Sequence, residues 1–569
     1  MPSFSFNITQ ASQQYIRISA QFKTESAETK IQLPRWRPGR YELANFAKNV
    51  RNFKVLDGDR NILQVEKDSI DRWVVDTSSC ANITVEYLYY ANKIDAGSCF
   101  LDEHQLYINP VNCCVFTQES FELEVEVFLD IPKEWKVATS MKKIENGFVA
   151  NNFDELMDSP LIASDSLQHG DFDLNNVKFH IWFNGEVKPE WDRLLKDFKA
   201  FADAQINSFT EFPVEEYHFL FQIVPYKAYH GVEHQRSTVI YLGPSYDVFK
   251  ENYIELLGVS SHELYHTWNV KAIRPIEMYP YDFTKENYSK LGYLCEGVTT
   301  YQGDLFLFKS GVLSEKQYFD EFHKQLQKHF DNHGRFNYSV AESSFDTWLD
   351  GYAVGAPDRK VSIYIEGCLL AFVTDIKIRK ATKNKYGLDE VMKRLYFNFA
   401  LKEKGVSETD YIRTIEGIAG HSFEDFFNNY VNGTKSYESI IIEALDYLGL
   451  ELKHKPSPLY AEAKLGMKTA IIENTIRVTG IYPGGPAEVA SIVLGDEIVA
   501  VNDIKCNLQL DEWLCYFAND IKTVSVNRSG INRKLTFPEV NRHFFMVYSV
   551  EKIEKPSADQ KKAFASWCK

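Results

Sequence analysis

The stretch His262-Glu263-Leu264-Tyr265-His266 decides how the rest of the chain is read. Two imidazoles stand four residues apart, with a carboxylate beside the first. On an α-helix, positions i and i+4 share a face, so both rings can reach one Zn²⁺ from the same side. Glu263 sits near that ion without having to bind it, and can take a proton from an attacking water. The preceding run, Tyr253-Ile254-Glu255-Leu256-Leu257-Gly258-Val259, is an apolar helical approach. The pair is therefore expected on a buried helix, where unpartnered imidazoles are costly. The alternative is a surface helix bearing three unrelated polar side chains. With only 14 histidines in 569 residues, a chance match is uncommon. Hydrolysis of a peptide-like bond is the expected chemistry.

A catalytic zinc takes a third protein ligand and keeps a position open for water. Glu296, within Leu294-Cys295-Glu296-Gly297-Val298-Thr299-Thr300-Tyr301, is the candidate. Apolar neighbours would make an unpaired carboxylate costly there, and Gly297 permits close approach. The competing explanation is an acidic residue at a helix N-terminus, stabilised by the helix dipole. Asp304 is a candidate acceptor behind a ligand imidazole.

The composition is that of an ordinary globular protein, 44% hydrophobic and 25% charged, and the length suits about three or four domains. Acidic residues outnumber basic ones 79 to 63, which argues against a nucleic-acid-binding surface. The nine cysteines form no C-x-x-C pair, and Cys113-Cys114 is vicinal, a pattern that fits free thiols in a reducing compartment. The N-terminal residues alternate like a strand without a basic-then-apolar leader, and no run is apolar enough to span a bilayer. A cytoplasmic location is expected, unless a leader has been removed.

Residues 1–168 read as a β-rich domain, with alternating runs at 15–20, 83–87 and 123–127 separated by Pro38-Gly39 and Asp57-Gly58 turns. Within it, Trp36-Arg37-Pro38-Gly39-Arg40-Tyr41 is either a packed turn or part of a binding wall. Residues 169–452 carry strands at 177–183, 217–224 and 237–241, a helix around 189–210, and an irregular loop at 225–236. Helices are predicted at 314–330, 362–380, 388–403 and 423–431. A linker is expected at 456–465, strands return over 460–548, and 549–569 is a tail or short helix. The fold class is thus α+β and multidomain.

His262 through Lys271, then Arg274-Pro275, then Glu296-Gly297 with Thr299 and Tyr301, resembles the glycyl aminopeptidase family of zinc peptidases. That resemblance implies an N-terminal β-rich domain, a thermolysin-like catalytic domain with a helical C-terminal half, and a C-terminal PDZ domain. The catalytic domain is related to that of aminopeptidase N. By resemblance, His262, His266 and Glu296 hold a single Zn²⁺ and Glu263 is the general base. Gly231-Val232-Glu233-His234 is similar to the family's Gly-x-x-Glu-His motif, which implies that Glu233 binds the free α-ammonium of the substrate. Here His230 stands where the family often has a glycine. Tyr364, in Val361-Ser362-Ile363-Tyr364-Ile365-Glu366-Gly367, matches the second tyrosine of a family segment and is implied as the oxyanion donor; Ile363 and Glu366 depart from that pattern. The alternative for Tyr364 is a packing role.

Leu465-Gly466-Met467, Gly480 through Ala487 and Gly495 through Asn502 resemble a PDZ domain. The first segment is similar to a carboxylate-binding loop whose N–H groups form an anion nest. A peptide or protein ligand there and a packed domain with no free groove both remain open. The resemblance implies a zinc aminopeptidase acting on peptides with a free N-terminus, with small first residues such as Gly or Ala. A zinc endopeptidase, or a noncatalytic PDZ scaffold with a structural metal, are the alternatives.

Overall fold

The computed structural model describes residues 1–520 and 522–569 and divides into two compact units. The larger comprises 1–318, 338–435 and 565–569, and the smaller 319–337 and 436–564.

The larger unit opens with an eight-stranded sheet that includes Ser3–Gln10, Tyr15–Lys23, Asn82–Tyr90 and Val125–Asp130. Burial along Tyr15–Lys23 alternates with the period of two that its sequence shows. A four-stranded and a three-stranded sheet accompany it. Phe4, Phe6, Ile16, Ile18, Trp36, Val85 and Tyr87 share the common core.

The chain then builds a five-stranded sheet ordered Gln168–Leu174, Val177–Asn184, Glu216–Ile223, Ser237–Gly243 and Ala228–Glu233. The middle three strands are parallel. Parallel neighbours need a crossover. Helix Trp191–Phe209 supplies it, burying Leu194, Phe198 and Phe201. The loop expected at 225–236 is instead largely strand: Ala228–Glu233 pairs antiparallel with Ser237–Gly243. Gly231 and the polar neighbours hide this strand from a local reading, and pairing across a short turn selects it.

Helices Glu315–Asp331, Ile363–Ala381 and Leu388–Asn398 match the predicted ones closely, the last stopping short of the predicted 403. The helix predicted at 423–431 is a short helical turn, Glu424–Phe426, continued by a π turn, Phe427–Val431.

The smaller unit holds a sheet whose main path runs Met467–Ile472, Thr475–Ile481, Glu497–Val501, Thr523–Arg528 and Ile531–Thr536. Helix Leu510–Tyr516 closes the core around Met467, Val478, Ile498, Leu514 and Val524. The expected linker at 456–465 is ordered structure: Leu450–Pro456 pairs with Met546–Lys552, and Tyr460–Leu465 is helical. Gly466 caps that helix in the left-handed region, and its N–H is donated to the Ala461 carbonyl, so this amide is not part of a free nest. Residues 549–569 are no loose tail, since helix Ala558–Trp567 ends on a buried Trp567. Among the described residues, no helix is long and apolar enough to cross a membrane.

Candidate active site

Helix Tyr253–Tyr265 carries His262 and Glu263, with His266 as its C-cap. Leu256, Leu257, Val259 and Leu264 bury the helix, and the two imidazoles emerge on one face with Nε2 atoms 3.0 Å apart. Glu296 arrives on a π-helical turn, Tyr293–Gly297, that runs into helix Val298–Lys309. Such single π turns recur at functional sites because they re-aim a side chain within a helix. Glu296 Oε2 lies 3.3 Å from His266 Nε2 and 3.6 Å from His262 Nε2.

The ring of His266 is held from behind. Its Nδ1 lies 2.7 Å from the Asn269 carbonyl oxygen, and a proton donated there leaves Nε2 as the free lone pair. The Asn269 side chain donates to the carbonyls of Leu294 (2.8 Å) and Cys295 (3.1 Å), tying the motif helix to the turn that bears Glu296. Asn269 therefore supports His266 from behind. Asp304 adds to the rise of the Tyr318 and Cys368 groups, whose main cause is burial.

Burial disfavours a cation at His266, but Glu296 outweighs it and raises the imidazole to about 10. Burial likewise opposes the Glu296 anion, and the two histidines, His266 foremost, bring it down to about 2. Glu263 moves the other way. Burial lifts its carboxyl well above the ordinary range, with His266 opposing and Glu233 and Glu296 adding to the rise.

Glu233 ends the edge strand Ala228–Glu233, and donor atoms of Glu233, Glu263 and His266 fall within 4.8 Å of one another. Two glycines allow this crowding. A Cβ on Gly231 would come 2.1 Å from Glu263 Oε1, and one on Gly39 would come 2.6 Å from Glu233 Oε2. The Trp36–Tyr41 segment is thus both things considered for it. Trp36 is buried against Tyr281, Phe283 and Trp348, while Gly39 forms a wall against Glu233.

Next to Glu233, His234 Nδ1 lies 3.0 Å from Asp158 Oδ1, and Lys271 Nζ reaches the same oxygen at 2.7 Å. The Gln235 N–H donates to the other oxygen at 2.7 Å. Burial opposes the Asp158 charge, yet Lys271 and His234 hold the carboxyl far below its usual range. This clamp fixes the end of the strand. Asp158 has no local signal in the sequence, because it acts from 113 residues away on Lys271.

Tyr364 lies in the first turn of helix Ile363–Ala381, its ring centroid 6.4 Å from that of His262. Burial first, then Glu296, pushes its phenol well above the ordinary value, so it stays a proton donor. A second phenol, missed in the sequence, stands nearby: the Tyr352 hydroxyl accepts from the Tyr41 N–H at 3.1 Å, and Arg40 lies over its ring at 4.5 Å.

The donor set fits a zinc ion. Two imidazoles and one carboxylate converge within 4.8 Å, one ring is locked in the ligating tautomer, and Glu233 Oε1 and Glu263 Oε2 are buried without a hydrogen-bond partner.

Residues 3–165 match the family model of the Peptidase M61 N-terminal domain, 255–370 that of the M61 glycyl aminopeptidase, and 477–528 that of a PDZ domain. The chain is an M61 metallopeptidase with a PDZ domain. None of the curated proteins matches it. Among solved structures, it is similar over 100% of both chains to an aminopeptidase N family protein from Idiomarina loihiensis, at 24% identity and a TM-score of 0.91. The M61 chain shares that fold. An M1 zinc metallopeptidase from Deinococcus radiodurans is also similar, at 12% identity and a TM-score of 0.47, covering 76% of this chain and 94% of that one.

Proposed function

We propose that this M61 chain is a zinc aminopeptidase that removes the N-terminal residue of peptides. One observation carries the reading: His262, His266 and Glu296 converge, and Glu233 Oε1 and Glu263 Oε2, buried without a hydrogen-bond partner among the described residues, belong to carboxylates gathered with His266. A buried carboxylate oxygen without a partner favours a nearby cation. His262, His266 and Glu296 would hold one zinc, leaving Glu233 free for an ammonium.

Zinc, when bound, polarises the scissile carbonyl and makes the attacking water more acidic. Glu233 pairs with the α-ammonium and so measures one residue from the chain end. Glu263, with its raised carboxyl, takes the proton of the attacking water and passes it to the leaving amine. Tyr364, kept protonated, donates to the oxyanion that forms as water adds. The Ala228–Glu233 edge holds the peptide backbone by strand addition.

A preference for small first residues such as Gly or Ala is part of this proposal.

Turnover of free and N-acetylated forms of the same peptide tests the reading. The free peptide should be cleaved and the acetylated one left intact, and Glu233→Gln should remove most of that discrimination. Equal cleavage of both forms would instead establish an endopeptidase.

A further inference from the structure

Arg37 is only 6% exposed, yet among the described residues its one side-chain hydrogen bond runs from Nη1 to the carbonyl of the next residue, Pro38, at 3.4 Å. Among the described residues, no carboxylate lies within ion-pair distance of it. Other buried cations here are matched: Lys271 has Asp158 at 2.7 Å and Arg379 has Asp375 at 3.0 Å. The guanidinium lies flat on Gly97, where a Cβ would fall 2.0 Å from Cζ. Asp95, the acid of that loop, accepts from the Gly97 N–H at 2.8 Å and pairs with Lys93 at 2.9 Å, and feels the Arg37 charge only from beyond ion-pair distance. Its Nε and Nη2 have no hydrogen-bond partner among the described residues and are not sealed from solvent, so the guanidinium keeps donors available for a planar anion.

Its position says which anion. Arg37 begins the turn, closed by the Arg40 N–H to the Arg37 carbonyl at 3.3 Å, that sets Gly39 against Glu233. Two residues of chain span at most about 7 Å, so the Arg37 backbone lies near the turn that faces the Glu233 carboxylate. On the facing edge strand, His230 precedes Glu233 by three residues, about 10 Å along the strand. Burial first and then Arg37 push the His230 imidazole down to about 4, so it stays neutral and adds no repulsion to a bound carboxylate. A peptide paired along this edge, with its ammonium on Glu233, passes Gly231 and Glu263 and ends opposite His230 after two or three residues.

We propose that Arg37, with His230 beside it, binds the C-terminal carboxylate of di- and tripeptides, making the enzyme selective for short peptides. This rests on the aminopeptidase reading above, which places the ammonium at Glu233. Arg37 is a specificity residue here, since it touches the far end of the substrate and no reacting atom. The guanidinium and carboxylate form a bidentate, charge-assisted pair. Blocking the carboxylate should weaken short peptides about tenfold to a hundredfold, while a long peptide with a distant C-terminus should be indifferent.

The test uses zinc-loaded full-length Glu263→Gln protein, so that binding is read without turnover. Calorimetric titration compares Gly-Ala-Ala with its C-terminal amide. The acid should bind about tenfold or more tighter. Adding Arg37→Gln should bring acid and amide together, and Arg37→Lys should restore part of the gap. The ratio within each variant is unaffected by any general loss of fold. Equal affinity of acid and amide in the Arg37 protein would overturn the inference and leave the aminopeptidase reading standing. So would binding of neither peptide alongside normal cleavage of longer peptides with a free N-terminus. Failure of the aminopeptidase reading would show separately, as equal cleavage of free and acetylated substrates.

Discussion

Gly297 and Gly367 cross so closely that a Cβ on Gly297 would lie 2.3 Å from the Gly367 Cα. The reverse substitution is also blocked, with a Cβ on Gly367 falling 2.7 Å from both the Gly297 Cα and the Tyr293 carbonyl oxygen. The obstacles are backbone atoms and cannot rotate away. Each glycine follows a site residue: Glu296 directly precedes Gly297, and Tyr364 lies one turn before Gly367. The crossing thereby sets the separation of Glu296, the proposed third ligand, from the Tyr364 phenol.

Gly297→Ala should force the two helices apart and destabilise the protein by about 1–3 kcal/mol. The same shift withdraws Glu296 from the imidazoles. Zinc measured per chain after dialysis should fall in Gly297→Ala more than in Gly258→Ala, where a Cβ meets nothing within 4 Å. Equal retention in the two variants would show that the crossing does not position the ligand.

Much of this was legible in the sequence, because periodicity is local. The i, i+4 histidines, the alternating strand at 15–23 and the helix at 363–381 each declare themselves within a short window. Glu296 stood out among apolar neighbours beside Gly297, whereas Tyr364 was within reach only through resemblance to a family. What stayed hidden is set by distant contacts. Asp158 meets Lys271 only in the fold, Asn269 acts through a carbonyl that every residue has, and the Ala228–Glu233 strand exists because Ser237–Gly243 pairs with it. The departure of His230 from the family pattern was visible, but its meaning depends on Arg37, nearly two hundred residues upstream.

Gly231 shows how the backbone makes room for Glu263, the proposed general base. A Cβ there would lie 2.1 Å from Glu263 Oε1, so Gly231→Ala should displace that carboxylate while leaving His262, His266 and Glu296 in place. Zinc content should match the wild type, and kcat should fall by about a hundredfold, the usual penalty for a misplacement of about 1 Å. Loss of zinc together with activity would contradict the separation of base from ligands.

The Asp158 clamp gives a pH dependence with a definite sign. Its carboxyl is held far below the ordinary value of 3.8 by Lys271 and His234 against the cost of burial. The stability it contributes is therefore fully present above that ordinary value, and is lost as pH falls from there through the folded value. Asp158→Asn leaves Lys271 buried without its anion, and should cost on the order of 3–5 kcal/mol near neutral pH. The gap between wild type and variant, followed by urea unfolding, should hold steady between about pH 6 and 8 and narrow below about pH 4. A gap that widens in acid would mean that Asp158 is not the anion of this cluster. Since the clamp ends the strand carrying Glu233, the variant should also raise KM for free peptides.

Trp567 ties the end of the chain to the helix Val298–Lys309, which follows the Glu296 turn. Its indole N–H donates to the Tyr301 hydroxyl at 2.9 Å, and that hydroxyl donates to Asp375 Oδ2 at 2.6 Å, an acid also paired with Arg379 at 3.0 Å. Tyr301 lies on helix Val298–Lys309, directly after the turn that holds Glu296. Trp567→Ala removes a large, fully buried side chain and one buried hydrogen bond, so a loss of about 3–5 kcal/mol is expected. Trp567→Phe keeps most of the packing but leaves the Tyr301 hydroxyl without its donor, and should cost less, about 1–3 kcal/mol. Denaturant unfolding followed by Trp and Tyr fluorescence orders the three proteins. If Trp567→Ala unfolded at the wild-type midpoint, the terminal helix would be dispensable to the unit that holds the site.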